Sequence, residues 1–459
     1  MESSSCFLSY SLPRFSTRSL SASRRRERRA SGALSQGALE TPQKTVLPSG
    51  VRVVTGNVAG AQSFALGVWI DVGSCDEAPH EFGMTHCIEH LVFRGTSSPL
   101  RKRSSSQIAR ALESVGGYLN AFTTKDHTCY YVRALNPHLR RSLALLADMC
   151  VYPVFHEEDV EKEKSVVIEE IRSLEEEPEE MMNDYLDESL FGKGKRAHPF
   201  AHPISGSIAS VQTMRREQMA DFHRRLYTAD RIVVAAAGDI DHDKLVAETE
   251  RAFADAPISP QPNIRSLPIP LRRKATSREV SMPTQQIHYA VAALIPAISD
   301  SDYYALSALN IILGDGMSSR LNQVVREKHG ICYTIYSSLG EIRNSVITSV
   351  YASFEPSQRQ KAEDLIHKEL RSLSQKPVGN GELRRAKEQL KAGLIMGLES
   401  LSGYMTTLAK SELYVGRFES LEEKIEAVES VRADDILRIA QTYFQEQDWH
   451  SVRIVPEEE

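Results

Sequence analysis

No stretch of this 459-residue chain approaches the ~20 consecutive apolar residues that a membrane-crossing helix needs; Ile232–Ala237 is typical of its longest runs. Cysteine is sparse, at positions 6, 75, 87, 129, 150 and 332, with no C-x-x-C pair. That pattern excludes a disulfide scaffold and predicts small, buried thiols in a reducing compartment. Basic residues are in deficit, with 55 Lys and Arg against 61 Asp and Glu. A nucleic-acid clamp needs the opposite balance, because neutralising phosphates takes a basic surface. What is present is ordinary globular composition, 41% apolar and 25% charged, which excludes disordered, collagen-like and coiled-coil classes.

Charge is unevenly spread. Residues 1–36 carry seven Arg and eleven Ser but only two acids, Glu2 and Glu27. The run Arg24-Arg-Arg-Glu-Arg-Arg29 is too basic and broken for a secretory signal, and the composition matches an organelle transit peptide. On that reading the protein is expected in the mitochondrial matrix or another organelle. The alternative is a bacterial cytoplasmic protein with an over-long start or a disordered tail.

At roughly 150 residues per domain the length fits three domains or two large ones. A leader spans 1–43. Thr45–Thr55 reads as two short strands around a turn at Pro48-Ser49-Gly50, and Ser63–Asp71 as a third strand. Helical periodicity dominates Gln107–Val115, Pro137–Cys150 and His156–Leu174. Prolines 257, 260, 262, 268 and 270 mark a linker over 254–277, separating an N-terminal domain (44–253) from a C-terminal one (278–459). The two sides repeat each other. A helical stretch at 210–226 leads into the strand Ile232-Val-Val, and another at 430–444 leads into Ser451–Val455. Likewise Ser63–Asp71 followed by a helix has its counterpart in Gln286–Leu294 followed by Ser301–Leu313. The fold class is therefore α+β: two duplicated α/β-sandwich domains, each a mixed or antiparallel sheet with helices on one face, joined by the Pro-rich linker.

The chemistry concentrates in Gly83-Met-Thr-His-Cys-Ile-Glu-His-Leu-Val-Phe-Arg-Gly-Thr96. His86 and His90 stand at i and i+4, one helical turn apart, so both imidazoles reach one metal from one face. Glu89 lies beside that face, where it can take a proton from an activated water. This H-x-x-E-H order inverts the H-E-x-x-H zinc signature. A third ligand is sought on the acidic helix 156–175, whose apolar stripe is Val160, Val167, Ile171 and Leu174. At ~100° per residue, Glu163 and Glu170 fall at the edge of the stripe and Glu169 points away. Carboxylates at a buried face are expensive unless paired or metal-bound. Glu170 is the better ligand, and Glu163, two turns earlier, a second-layer partner. The acids at 175–177 and 179–180 read as a solvated helix end.

These motifs resemble the pitrilysin/insulinase-type inverted zincins, especially the processing-peptidase branch with its beta subunits and single-chain bacterial members. The resemblance runs from about Lys44 onward and rests on His86, Glu89, His90 and Val167-Ile-Glu-Glu-Ile171. It implies a metallopeptidase with one Zn2+ per chain, with Glu170 as third ligand. The His90–Glu170 gap exceeds the usual form by a few residues, and a loop insertion around 97–106 absorbs it. Gly116–Tyr131 is similar to the family's edge strand, which implies that Asn120 and Ala121 contact the backbone of an extended peptide substrate by strand addition. Asp126 stands where Glu is usual. Gly316–Tyr333 matches a second-half segment whose Arg/Tyr pair, here Arg326 and Tyr333, serves as catalytic donors to a developing oxyanion. The resemblance implies an endopeptidase for extended peptides or presequences. The alternative is a non-catalytic core or substrate-binding subunit. Because the chain carries both signatures, a homodimer is expected, with a heterodimer with a homologous subunit as the alternative.

Overall fold

A computed structural model describes residues 41–99, 101–194, 197–259, 274–343 and 345–457. The leader through residue 40 and most of the proline-rich linker, 260–273, lie outside the described residues. Two sheets organise the rest. The first runs, in spatial order, Gln43–Val46, Arg52–Asn57, Ile232–Gly238, Ser63–Ile70, Thr128–Leu135 and Tyr118–Thr123. The second runs Cys332–Ile342, Ser345–Phe354, Ile287–Ile295, His450–Pro456 and Ser277–Met282.

The duplication expected from sequence appears as matching connectivity. In each sheet a single adjacent pair is parallel, Arg52–Asn57 with Ile232–Gly238 and Ser277–Met282 with His450–Pro456. The other pairings are antiparallel. In both halves the strand that closes the parallel pair is the last one, delivered by a helix (Arg216–Leu226 or Ala433–Tyr443).

Period-two patterning decides which layer each strand residue joins. Along Ser63–Ile70, Phe64, Leu66, Val68 and Ile70 face the first half's own helices. Along Ile287–Ile295, Tyr289, Val291 and Ala293 face the second half's helices, while Ala290, Ala292 and Leu294 face the other way. Near-continuous apolar runs of this kind signal strands covered on both faces. The second cover is exchanged between halves. Helix Pro178–Phe191 of the first half packs on the outer face of the second sheet through Met182, Leu186, Leu190 and Phe191. Helix Leu401–Lys410 of the second half packs on the first sheet. There the approach is so close that a Cβ at Gly56 would stand 2.3 Å from the Tyr404 ring, so only glycine fits.

Each sheet thus carries its own half's helices on one face, as expected from sequence, and on the other face a helix supplied by the other half. The acids at 179–180 also read differently. They open Pro178–Phe191, and the Tyr336 hydroxyl of the second sheet donates to Glu179 Oε1 at 2.8 Å. The five described cysteines, 75, 87, 129, 150 and 332, are all buried, and none is in a disulfide. Among the described residues no helix is long and apolar enough to cross a membrane.

Leu186 is 6% exposed. Its truncation to Ala should cost about 2–5 kcal/mol, the usual range for deleting a buried leucine. Because its contacts lie in the other half, amide exchange should accelerate in Ile287–Ile295 and His450–Pro456. Acceleration confined to the first sheet would contradict the exchanged packing.

Candidate metal centre

The motif helix is short, Met84–Leu91, and amphipathic. Met84, Cys87, Ile88 and Leu91 are buried in the first core, leaving His86, Glu89 and His90 on the other side. It packs against the acidic helix Glu157–Glu175, anchored by buried Val160, Val167 and Ile171. The crossing brings three donors together. Glu170 Oε2 lies 3.8 Å from His86 Nε2 and 3.7 Å from His90 Nε2, and one ligand atom from each residue fits within 4.8 Å of the others.

The donor set fits a zinc ion. Atoms bound tetrahedrally at 2.0–2.1 Å stand about 3.4 Å from one another, so only small adjustments close the site. Three protein ligands leave the fourth position open, as catalytic zinc requires. Burial, and secondarily the neighbouring His90, pulls the His86 pKa down to about 3. Its imidazole is therefore neutral, the form that binds metal.

The remaining nitrogen of His90 is held as well. Nδ1 pairs with Glu163 Oε2 at 3.1 Å, and the other Glu163 oxygen forms an ion pair with Arg94. Glu163 is 3% exposed, a carboxylate made tolerable by two partners. Glu169 is turned out to solvent and paired with Arg172 on its own helix. Glu89 is not among the converging donors. Burial raises its pKa, opposed by the Thr123 hydroxyl, which donates to Oε2 at 2.5 Å. Cys87, one residue from His86, is pushed up to about 12 by burial, so it is a packed thiol and not a thiolate nucleophile.

Thr123 ends the strand Tyr118–Thr123, which pairs only with Thr128–Leu135 and forms the rim of the first sheet. Asn120 and Ala121 lie on this strand, beside the motif helix. Asp126 is buried in the turn that follows, bonded to His127 Nδ1 at 2.8 Å and to the Tyr414 hydroxyl of the second half at 3.1 Å. Around residues 97–106, Gly95–Thr96 pairs with Arg103–Ser104 as a two-stranded ribbon.

Arg326 and Tyr333 meet each other, the guanidinium lying 5.3 Å from the ring centroid. The fold of one chain does not join them to the metal cluster. Arg326 sits in the π-helical segment Asn322–Lys328 and pairs with its neighbour Glu327. Tyr333 lies at a bulge in the second sheet's rim strand, 77% exposed. Sequence reasoning passed over Thr123 and Arg94. Both were within reach of periodicity, Thr123 two residues from Ala121 on a strand and Arg94 four from His90.

The second half has matching helices without the donors. Setting the start of Asn380–Glu399 on that of Glu157–Glu175 puts Ala386 at the place of Glu163 and Gly393 at that of Glu170. Fold and donors together define a duplicated α+β chain of metallopeptidase type whose metal-competent donor set, among the described residues, lies in the first half. Comparison with known proteins gives the family. Residues 52–204 match the family model Insulinase (Peptidase family M16), and residues 213–390 match Peptidase M16 inactive domain. An uncharacterized zinc protease of Mycobacterium tuberculosis is 37% identical over 413 residues, spanning 87% of this chain and 90% of its own length. One from Bacillus subtilis is 32% identical over 398 residues, 87% of this chain and 94% of that one. The chain belongs to the M16 peptidase family. Its fold is shared with a Helicobacter pylori protease at TM-score 0.81 and 22% identity, covering 91% of this chain and 100% of that one. A Pseudomonas fluorescens structure titled as a peptidase M16 inactive domain superposes at TM-score 0.83 and 20% identity, covering 91% and 98%.

Removing Glu163 frees the His90 ring and strands Arg94. Glu163→Ala should weaken zinc binding roughly 10- to 100-fold, as loss of such an outer partner does, while Glu169→Ala should leave it unchanged. Competition with a chromophoric chelator measures both. Equal affinities in the two variants would contradict the arrangement.

Proposed function

We propose that this protein is a zinc-dependent endopeptidase that cleaves extended peptides or presequences. The observation that carries the reading is the convergence of His86, His90 and Glu170 beside a carboxylate, Glu89, that stays out of the donor set. On this reading His86, His90 and Glu170 hold one zinc ion per chain. When bound, the ion supplies Lewis acidity that brings the pKa of a water molecule toward neutrality. Glu89 receives the proton at Oε1, its Oε2 being held by Thr123, and passes it to the leaving amine. The peptide adds as a further strand to the rim at Asn120 and Ala121, which binds main chain and reads little sequence.

Arg326 and Tyr333 supply donors for the developing oxyanion. Their exposure and their separation from the cluster within one chain favour delivery across an interface. Two chains assemble as a homodimer, and the partner subunit's Arg326 and Tyr333 face the zinc-binding half. A heterodimer with a homologous subunit is the alternative assembly. A non-catalytic core or substrate-binding subunit is the alternative function.

Metal content, native mass and turnover of a quenched peptide test the reading together. The protein should bind one zinc per chain and run at twice 51.3 kDa. Glu89→Gln should keep zinc and lose nearly all turnover, His86→Ala and Glu170→Ala should lose both, and Tyr333→Phe should lower turnover while sparing zinc. Absence of metal and turnover would favour the non-catalytic subunit. A fully active monomer would remove the dimer, and turnover only after adding a different homologous subunit would establish the heterodimer.

A further inference from the structure

The two candidate histidine ligands are not held in the same way. His90 has its second nitrogen fixed by Glu163. His86 Nδ1 is buried with no hydrogen-bond partner among the described residues, so no second side chain fixes that nitrogen as Glu163 fixes His90 Nδ1. What sets His86 is the backbone of the helix that carries it. That helix has only two turns, and His86 lies in the first of them, where short helices fray.

The start of this helix cannot be capped in the usual way. An N-cap side chain accepts from the first free amides, but Gly83 stands at the cap with φ +92 and no side chain. A Cβ there would lie 2.5 Å from the Ser205 carbonyl oxygen. The crossing loop is equally constrained, since a Cβ at Gly206 would lie 2.4 Å from the Phe82 carbonyl oxygen. A residue able to cap this helix is excluded from position 83 by the chain packed across it.

Glu77 takes over from six residues upstream. Its Oε2 accepts from the Gly83 amide at 2.8 Å and its Oε1 from the Thr85 amide at 2.7 Å. It is 7% exposed, and among the described residues no cation pairs with it. A buried carboxylate without a cation is costly. Burial raises its pKa to about 8 against the pull of the two amide hydrogen bonds, and what holds the group in place is the match of its two oxygens to free amides at the positive end of the helix dipole.

We infer that Glu77 is a positioning residue of the metal centre, fixing His86 through the first-turn backbone as Glu163 fixes His90 through its ring. The inference rests on the metallopeptidase reading for its consequence and on the two hydrogen bonds for its geometry. Replacing Glu77 by Gln keeps the shape but turns an N–H donor toward one of the two amides. Glu81 is the control: it lies in the same loop and its side chain takes its hydrogen bonds from Ala78 and Arg225, while its one contact with a helix amide, from Met84 at 2.8 Å, is made by the backbone carbonyl that Gln keeps.

Three measurements on the full chain test this. In the metal-free protein, Glu77→Gln should speed amide exchange at Gly83 and Thr85, and Glu81→Gln should not. Chelator competition should show zinc affinity lowered about 10-fold or more in Glu77→Gln, by analogy with outer-layer partners of metal ligands. At saturating zinc, kcat should fall with KM unchanged, and Glu77→Asp, too short to span both amides, should not restore it. Parent-like exchange at both amides overturns the inference. So does a variant that is merely less heat-stable, with parent-like zinc affinity and kcat. If the parent itself binds no zinc, the metallopeptidase reading fails, and the exchange measurement still decides whether Glu77 holds the helix.

Discussion

Glu163 is a carboxylate that the fold can bury only while two helices cross at one angle. Its oxygens reach His90 Nδ1 and Arg94 from the acidic helix, and Glu170, two turns further along that helix, reaches the opposite side of the same imidazole. One ring is thus held from both edges by one helix. If the crossing slips, a buried charge loses its partners, a loss usually worth several kcal/mol. That penalty makes the donor geometry a property of the packing rather than of a flexible side chain. The apolar contacts of Val160, Val167 and Ile171 supply the affinity between the helices, and the Glu163 pairings supply the register.

The same helix ties the site to the far half of the molecule. Glu157–Glu175 is followed after two residues by Pro178–Phe191, which is the outer cover of the second sheet. Polar contacts join the halves around the rim strand as well. Across the halves Asp126 accepts from Tyr414 and Arg343 pairs with Asp71, and Lys125 pairs at 2.9 Å with half-buried Asp187 on the helix that covers the second sheet. Lys125 and Asp126 lie in the turn directly after Tyr118–Thr123, so the rim strand is braced by the helix Pro178–Phe191 and by Tyr414 of the second half.

What sequence could show was what has a period. The i, i+4 histidines and the Glu163/Glu170 phase on the acidic stripe follow from 3.6 residues per turn, and the structure brings those side chains together as the phase requires. The near-continuous apolar runs along Ser63–Ile70 and Ile287–Ile295 mark strands covered on both faces, although nothing local says that the second cover comes from the other half. What lay beyond reach was non-local. Pro178 reads as a stop and the acids around it as a solvated end, although Met182, Leu186 and Leu190 repeat every four residues and mark a buried helix. Which half that helix would cover is set by chain crossing, which leaves no local pattern. Glu77 is another such case, because a cap supplied from six residues away depends on the loop at Ser205 excluding a side chain from position 83. The converse holds for Arg326 and Tyr333, whose mutual contact is visible in the chain while no contact in the chain joins them to the three donors among the described residues.

The central claim is that His86, His90 and Glu170 bind zinc and that Cys87 does not. X-ray absorption spectroscopy of the zinc-loaded protein reads this directly. The account predicts a shell of nitrogen and oxygen at about 2.0–2.1 Å with the outer scattering of two imidazoles. A sulfur shell at about 2.3 Å, or a signal with no imidazole scattering, would contradict it.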